Sequence, residues 1–183
     1  DVCSSDLICE KLLVEPYVHA MSLERKNLRI TVVRRKRGNE QLLAFIKEKH
    51  AGESGIVYTS SRAKVETICA FLAAEGINCL CYHAGLSREQ RELSQTRFLH
   101  DKDAVIVATI AFGMGIDKAD VRFVAHTFLP KSIENYVQEI GRAGRDGQKA
   151  EAWLCFSGGD AFFQKKRIAE SDAEDWYKNI SEV

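Results

Sequence analysis

Short apolar runs alternate along the chain with longer segments in which apolar residues recur at helical spacing. The short runs are typical of strands, whereas the longer periodic segments indicate amphipathic helices. The pattern predicts strands at 28–33, 55–59, 77–82, 104–108, 122–128 and 152–156, and helices at 39–50, 61–75, 87–100, 132–140 and 160–170. Strands and helices that take turns in this way favour right-handed crossovers within one sheet.

One predicted strand, Ala104–Ala108, is apolar at every position. Such a strand is usually buried on both faces, as in a parallel sheet with helices on either side. Ser87 and Gln90 have capping-box spacing, and Gly76 is placed to end a helix in the left-handed conformation. We therefore predict a three-layer α/β fold with a mainly parallel sheet. Ligands of such sheets bind at loops beyond the carboxyl ends of the strands.

The composition limits both the size of the fold and the kind of partner. The 183 residues, of which 45% are hydrophobic, predict one domain with a sizeable core. Lys+Arg and Asp+Glu both number 26, so the formal net charge is zero. This balance excludes a protein that holds nucleic acid by bulk positive charge, and any such role must depend on a few placed groups.

The six cysteines do not form a metal-binding pattern. No two of them have C-x-x-C spacing, and the five histidines lie far from them, so we expect no metal site in this chain. Cys155 falls in a predicted strand, and we expect it in the core. The chain shows no membrane-length apolar segment and no secretion signal. We therefore expect no membrane partner and a reducing, cytosolic or nucleoid location.

The sequence lacks the motifs of a complete nucleotide hydrolase. A P-loop requires Gly-x-x-x-x-Gly-Lys-Ser/Thr, and a magnesium site after a strand requires an acidic pair. Neither pattern occurs here. We therefore do not expect this chain to hydrolyse ATP by itself.

A glycine-rich segment, Gln138–Gly147 (QEIGRAGRDG), carries two arginines three residues apart. Arg142 and Arg145 lie on one side of a helical turn, and the glycines leave room for a phosphate or another backbone. Guanidinium groups in this setting suit the charge of a phosphoryl-transfer transition state. The alternative is a pair of surface arginines beside the turn that Asp146 and Gly147 favour.

A second segment, Ala108–Lys118 (ATIAFGMGIDK), follows the apolar strand. Gly113 and Gly115 allow a tight turn beside a ligand. Thr109 offers a hydroxyl to a phosphate, and Asp117 can accept a hydrogen bond from a ribose. The alternative is a tight loop with a purely structural role.

A third segment, Val57–Arg62 (VYTSSR), places Ser61 and Arg62 at a helix amino terminus. Such a terminus is a ready site for an anion, but ordinary helix capping explains the serines equally well. The basic run Arg34–Arg37 also follows a strand. We expect a solvated turn there, with a contact to DNA or a partner domain as the alternative.

Taken in order, these segments resemble the second RecA-like domain of superfamily 2 helicases, and most closely that of the RecQ family of DNA helicases. The resemblance rests on Gly55–Lys64 (GIVYTSSRAK), Cys81–Leu86 (CYHAGL), Val107–Lys118 (VATIAFGMGIDK), Val121–His126 (VRFVAH) and Ser132–Gly147 (SIENYVQEIGRAGRDG). It covers residues 22–170, because Ser22–Asn27 (SLERKN) is also similar to the family's lead-in to this domain. Lys26 and Asp117 stand where the family often has proline and asparagine.

The resemblance implies half of an ATP-driven motor. In the family, ATP with Mg²⁺ lies between two RecA-like domains, and the first domain supplies the P-loop and the magnesium-binding acid. Zinc belongs to a separate domain further along the chain. By motif matching, the catalytic residues are Arg145 as the arginine finger, Arg142 in support and Gln138 in coupling. The residues matched to nucleotide contacts are Asp117, Gly115, Arg142 and Arg145. Those matched to contacts with one DNA strand are Ser61, Arg62, His83, Gly85 and Thr109.

The resemblance thus implies the C-terminal motor domain of an ATP-dependent 3′-to-5′ DNA helicase that acts in DNA repair and recombination. Its implied partners are single-stranded DNA, the duplex junction and the first RecA-like domain of the same polypeptide. Two alternatives stay open. One is a helicase of the same superfamily that acts on RNA, and the other is a non-catalytic RecA-like module that binds nucleic acid or a partner protein.

We divide the chain into a lead-in at 1–21, the helicase domain at 22–158, and a C-terminal helix with an acidic tail at 159–183 that leads toward further domains. Residues 1–7 (DVCSSDL) have two explanations, a translated sequencing adapter or an ordinary frayed terminus. We assign no function to them.

Overall fold

The computed structural model describes residues 25–110, 112 and 116–170. Its strands are β1 (Leu28–Arg34), β2 (Gly55–Tyr58), β3 (Cys79–Tyr82), β4 (Val105–Ala108), β5 (Phe123–His126) and β6 (Ala150–Phe156). Its helices are α1 (Gly38–Lys49), α2 (Arg62–Ala74), α3 (Arg88–His100), α4 (Ile133–Ile140) and α5 (Gly158–Glu170). Every predicted strand and helix is confirmed, and the ends differ from the predicted ones by at most two residues.

The strands of the described residues form one parallel sheet in the order β1-β6-β5-β2-β4-β3. Strands β2, β4 and β5 are buried at every position. Strand β1 lies at one edge and pairs with β6, so the first strand lies beside the last. The parallel pairing of all six described strands confirms the prediction of a parallel sheet. The physical reason is that apolar strands such as β4 are stable where both faces of the sheet are covered.

Helices cover both faces of the sheet and give the predicted three layers. On one face, Leu42 of α1 and Leu72 of α2 are fully buried in the first core. On the other face, Phe98 of α3 and Ile140 of α4 close the second core. Successive residues along the central strands point into opposite cores. Each fully buried leucine or phenylalanine contributes about 2 kcal/mol through the apolar surface that it removes from water.

Side-chain caps fix where α2 and α3 begin. Ser61 accepts a hydrogen bond from the Lys64 backbone N–H at the start of α2. At α3, Ser87 and Gln90 form the predicted capping box, in which each side chain accepts from the other residue's backbone N–H. Gly76 takes the predicted left-handed conformation after α2, with a φ of 82°.

A half-buried arginine ties α5 to the carboxyl end of the sheet. The Arg35 guanidinium donates to the Thr127 carbonyl at 2.8 Å and to both carboxylate oxygens of Asp160, at 2.9 and 3.0 Å. The expectation of a solvated turn is therefore wrong for Arg35, because this side chain links the turn after β1 to α5. The other three residues of the basic run are exposed.

Cys155 is buried in β6, as predicted. The segments 1–21 and 171–183 lie outside the described residues, so the proposed domain division stays a prediction. Within the part of the chain that the structure describes, no helix combines the length and the apolar character that a membrane span needs.

Candidate nucleotide and nucleic-acid site

The predicted site residues fall into two groups at different ends of the strands. The predicted DNA contacts follow the carboxyl ends of β2, β3 and β4. Residues 141–149, here called the arginine loop, run from α4 to the start of β6 and therefore lie toward the amino ends of the strands. The segment between β4 and β5 connects the two ends. The general expectation of ligand loops at the carboxyl ends thus applies only to the DNA group.

Arg145 contacts Asp117, another residue that the sequence predicts at the nucleotide. Its Nη1 donates to the Asp117 carboxylate at 3.1 Å and to the Ile116 carbonyl at 3.3 Å. The Arg145 side chain is 38% exposed and that of Asp117 is 88% exposed. A solvent-exposed ion pair of this kind contributes at most about 1 kcal/mol. The guanidinium can therefore exchange Asp117 for another anion, such as a phosphate, at little cost.

Arg142 is half-buried and reaches the hydroxyl of Tyr58 at the end of β2. Burial raises the Tyr58 pKa to about 12, while the charge of Arg142 and its hydrogen bond to the hydroxyl oppose that rise. The Tyr58 hydroxyl donates in turn to the Phe112 carbonyl at 3.1 Å. These contacts hold the Arg142 guanidinium against the core, which suits a supporting residue better than a mobile finger.

The remaining predicted nucleotide residues are Gln138 and Gly115. Gln138 is exposed on α4, one turn before the arginine loop. Gly115 lies outside the described residues, as does Gly113. The roles of these residues stay predictions.

Backbone and side-chain contacts fix the arginine loop against the strand β5 lead-in. The Gly144 N–H donates to the Val121 carbonyl at 2.8 Å. Arg122 donates to both carboxylate oxygens of Asp146 at 2.7 Å, and this hydrogen bonding lowers the Asp146 pKa. Gly144 has a φ of 59°, and a Cβ there would lie 2.8 Å from the Gln148 carbonyl oxygen. Only glycine fits such a close approach.

A buried acid and histidine join α4 to the sheet. The Glu139 carboxylate lies 2.7 Å from Nε2 of His126, the last residue of β5. His126 is fully buried, and its ring stacks on Tyr58 with 5.2 Å between centroids. This pair could not be predicted from the sequence pattern. Its only signal was an acid on α4 directly before the core residue Ile140.

Arg62, His83 and Gly85 lie together beyond β2 and β3. The buried His83 accepts the Gly85 N–H at its Nδ1, at 3.1 Å, and its Nε2 lies 3.3 Å from a Glu66 carboxylate oxygen. A Cβ at Gly85 would lie 3.3 Å from Cδ of the exposed Arg62. The positions indicate that His83 shapes the loop, whereas Arg62 is accessible to a phosphate.

Ser61 is exposed beside Arg62, and its hydroxyl oxygen caps α2. The capping explanation of this serine is therefore confirmed. Because the oxygen acts as an acceptor in the cap, the hydroxyl hydrogen is still able to donate to a phosphate.

Thr109 lines a cleft of about 200 Å³ beyond β2 and β4. Thr59 and Lys131, which the sequence analysis did not select, line the same cleft. The Thr59 hydroxyl is buried and has no hydrogen-bond partner among the described residues, and Lys131 is exposed. A hydroxyl and an ammonium group beside Thr109 suit the oxygens of a phosphate.

In the described ranges of the chain, no group of three or more His, Cys, Asp or Glu side chains could hold a metal ion. The thiols of Cys69 and Cys79 lie close together, with 3.2 Å between the Sγ atoms. The hydrogen bond with Cys79 raises the Cys69 pKa to about 12.

The sequence matches known proteins over the elements that form this site. The model of the helicase conserved C-terminal domain family matches residues 37–147. The chain is 46% identical over 165 residues to an ATP-dependent DNA helicase RecQ of Pasteurella multocida, covering 90% of this chain and 26% of that protein. It is 43% identical over 155 residues to the RecQ-like DNA helicase BLM of Xenopus laevis, covering 83% of this chain and 11% of that protein.

The fold also matches a solved structure, the DEAD-box helicase domain 2 of Mss116p bound to an RNA duplex. The TM-score is 0.63 at 20% sequence identity, and the match covers 79% of this chain and 59% of the other. This likeness shows a shared RecA-like fold. The chain spans about a quarter or less of the curated relatives described above. It belongs to the helicase conserved C-terminal domain family, and within that family to the RecQ helicases.

Proposed function

We propose that this chain is the second motor domain of an ATP-dependent 3′-to-5′ DNA helicase that acts in DNA repair and recombination. The arginine loop carries the proposal, because it presents the exposed Arg145 beside Asp117 on a rigidly held backbone. The relatives from Pasteurella and Xenopus are named DNA helicases, which supports DNA as the substrate.

On the nucleotide side, Arg145 leaves Asp117 and contacts the γ-phosphate of ATP bound by a first RecA-like domain of the same polypeptide. Its guanidinium stabilises the charge that develops during phosphoryl transfer. Arg142 keeps the loop against Tyr58, and Gln138 contributes to coupling from α4. Asp117, released from its ion pair, is then available to a ribose hydroxyl beside Gly115.

On the DNA side, the loops beyond β2, β3 and β4 contact the phosphates of one strand. Arg62 and Lys131 supply positive charge, and the hydroxyls of Ser61, Thr59 and Thr109 supply hydrogen bonds. Contacts of this kind hold DNA without sequence preference. They also suit a chain whose formal net charge is zero.

The segment between β4 and β5 links the two sides. It begins at Thr109 on the DNA side and reaches Asp117 on the nucleotide side. Phe112 and Ile116 are buried in the second core, with exposed fractions of 2% and 6%. We expect a change in the partner of Asp117 to reach Thr109 through the buried side chains of Ile116 and Phe112.

The proposal includes partners that lie beyond this chain. Mg²⁺ accompanies ATP and is held by the first RecA-like domain, and zinc belongs only to a downstream domain. The bound nucleic acid is single-stranded DNA next to a duplex junction. The working location is the bacterial cytoplasm or nucleoid.

The test is a chimaera in which this chain replaces the matching segment of the Pasteurella multocida relative. We expect it to hydrolyse ATP faster when single-stranded DNA is added. The Arg145→Ala variant should keep ATP binding and lose about 10³-fold or more in turnover, the usual contribution of an arginine finger. Nucleotide binding is followed by fluorescence titration and turnover by phosphate release.

Arg97→Ala is the matched control, because Arg97 is also a partly exposed arginine in an ion pair with an aspartate, Asp101. We expect normal turnover from it. A folded chimaera without DNA-stimulated hydrolysis would overturn the proposed function. Normal turnover in Arg145→Ala would remove the role of the finger.

The same chimaera separates the alternatives. We expect it to unwind a DNA duplex with a 3′ single-stranded tail and to leave the matching RNA duplex intact. Preferential unwinding of the RNA duplex would instead favour an RNA helicase. Strand binding without any hydrolysis would favour a non-catalytic module.

A further inference from the structure

We infer that Arg25 and Asn27, in the segment before β1, are positioning residues for the arginine finger. They lie outside residues 37–147, which the family model matches. The inference rests on the proposed function of Arg145 and adds a device that holds it in place. The sequence of Ser22–Asn27 is similar to the segment that precedes this domain in the RecQ family, but the sequence pattern does not indicate a role for Arg25 or Asn27.

The Arg25 side chain spans the arginine loop. Its Nη1 donates to the Gly141 carbonyl at 2.8 Å, and its Nη2 donates to the Gly144 carbonyl. These two carbonyls flank Arg142, and the second belongs to the peptide bond that leads directly into Arg145. One planar guanidinium therefore fixes both sides of the turn that carries the arginines.

Asn27 adds a second link to the same turn. Its Nδ2 donates to the Gly144 carbonyl at 2.9 Å and to the Gln148 carbonyl at 2.8 Å. Its own carbonyl accepts the Ala150 N–H at 2.9 Å, where β6 begins. Asn27 thus fixes the distance between the peptide before Arg145 and the start of the strand that follows the loop.

Two physical features explain why these donors suit this place. Gly141 caps the carboxyl end of α4, whose last carbonyls have no partner within the helix and carry the negative end of the helix dipole. A guanidinium there satisfies one of these carbonyls and is favoured by the dipole. At Gly144, a Cβ would lie only 2.7 Å from Asn27 Nδ2. The absence of a side chain there allows the Asn27 amide to approach the Gly144 carbonyl.

The geometry of Arg145 depends on these contacts because the carbonyl and the N–H of Gly144, the residue directly before it, are both hydrogen-bonded. The Gly144 carbonyl accepts from Arg25 and Asn27, while the Gly144 N–H donates to Val121. The loop therefore has little freedom to rotate. Catalysis by a finger depends on its placement within about 1 Å, and a misplacement of that size can lower the rate about 100-fold.

The first experiment measures kinetics in the chimaera with the isosteric variant Asn27→Asp and with Arg25→Gln. Each variant removes one of the two side-chain donors that hold the Gly144 carbonyl. We expect kcat to fall roughly 10- to 100-fold while KM for ATP and the affinity for single-stranded DNA change by less than about twofold. Arg25→Lys should recover part of kcat, because an ammonium group reaches one carbonyl at a time.

Lys26→Gln is the control, because Lys26 is exposed and lies between Arg25 and Asn27. This substitution removes one positive charge, as Arg25→Gln does. We expect no change in kcat from it. If these residues had only a structural role, their substitution would lower the thermal midpoint without a selective loss of kcat. All assays therefore run well below the thermal midpoint of each variant, so that unfolding does not contribute to any loss of rate.

The second experiment uses the 183-residue chain without nucleotide or DNA. Hydrogen exchange of the amides in 141–148 should speed up in Arg25→Gln and Asn27→Asp but not in Lys26→Gln. Unchanged exchange, or faster exchange with unchanged kcat, would overturn the inference. If the unsubstituted chimaera fails to hydrolyse ATP, the proposed function falls, and the exchange data still show separately whether the segment holds the loop.

Discussion

Gly144 carries more constraints than any other glycine of the arginine loop. Its φ is 59°, and its backbone accepts from two side chains while a Cβ would meet both Gln148 and Ala150 within 3 Å. Gly147, three residues later, also has a positive φ of 79° but has open space around it. A side chain at Gly147 would therefore be opposed only by the backbone conformation, whereas a side chain at Gly144 would be opposed by the conformation and by steric clashes.

We predict that Gly144→Ala lowers the free energy of unfolding by about 2–4 kcal/mol, because the left-handed conformation and the crowding both oppose a side chain. Gly147→Ala should cost only about 1 kcal/mol, from conformation alone. Urea unfolding of the chain measures both values. Equal losses in the two variants would contradict the crowding that the structure shows.

Among single residues, the charged side chains of the arginine loop could be predicted from the sequence, but the groups that hold them in place could not. Arg142 and Arg145 were visible because glycines surround them. The contact between Asn27 and Gly144 was not, because it joins residues 117 positions apart and involves a backbone carbonyl that no residue type reveals. The burial of His83 was equally hidden, since a histidine after a strand is as often exposed as buried.

Between elements, ion pairs and caps decide how the connecting loops are held. Helix ends were predicted well because their signals are local, as with Ser87 and Gln90. Loop anchors such as the pairs Arg35–Asp160 and Arg122–Asp146 were not predicted, because each joins distant parts of the chain. The pair Arg122–Asp146 holds the arginine loop, and because Asp146 can be protonated, its contribution to the stability of the chain depends on pH.

The Arg122 hydrogen bonds hold the Asp146 pKa below its usual value near 4. A carboxylate with a lowered pKa stabilises the fold above its unfolded-state pKa, and that contribution is lost as the pH falls through the folded-state value. We predict that the chain is more stable than Asp146→Asn at pH 7 and that the difference shrinks as the pH falls below about 4.

Urea midpoints at pH 7, 5, 4 and 3 measure this difference. Asp103→Asn serves as the control for the loss of one aspartate charge, because Asp103 is exposed and its partner Asn78 can also bond to an asparagine. A difference for Asp146→Asn that stays constant across the series would show that the Arg122 pair does not contribute through its charge.

For the whole molecule, the formal net charge of zero means that the proposed DNA binding depends on a few cations at the carboxyl ends of the strands. Each Lys or Arg that neutralises a phosphate of a single strand adds about −0.7 to the slope of log affinity against log salt concentration. Few such contacts mean a shallow slope, in contrast to proteins that bind through a broad basic surface.

We predict that Arg62→Ala in the chimaera weakens binding to single strands of every sequence equally and makes the salt slope shallower by about 0.7. Fluorescence anisotropy at several salt concentrations measures both quantities. Arg97→Ala, at the opposite end of the sheet, should leave the slope unchanged. A sequence-dependent loss in Arg62→Ala would show that Arg62 reads bases instead of phosphates.

The pairing of β1 with β6 has a consequence for the order of folding. Leu28 lies beside Ala150, so the sheet edge closes only when the first and last strands are both available. Contacts between such distant parts of a chain form late, and during synthesis the amino-terminal segment emerges first and must wait. A nascent chain that ends before β6 therefore already contains Arg145 but lacks the closed edge beside it. Because β6 contributes residues to both cores, we expect the arginine loop to be fixed at its carboxyl end only when β6 joins the sheet and completes those cores.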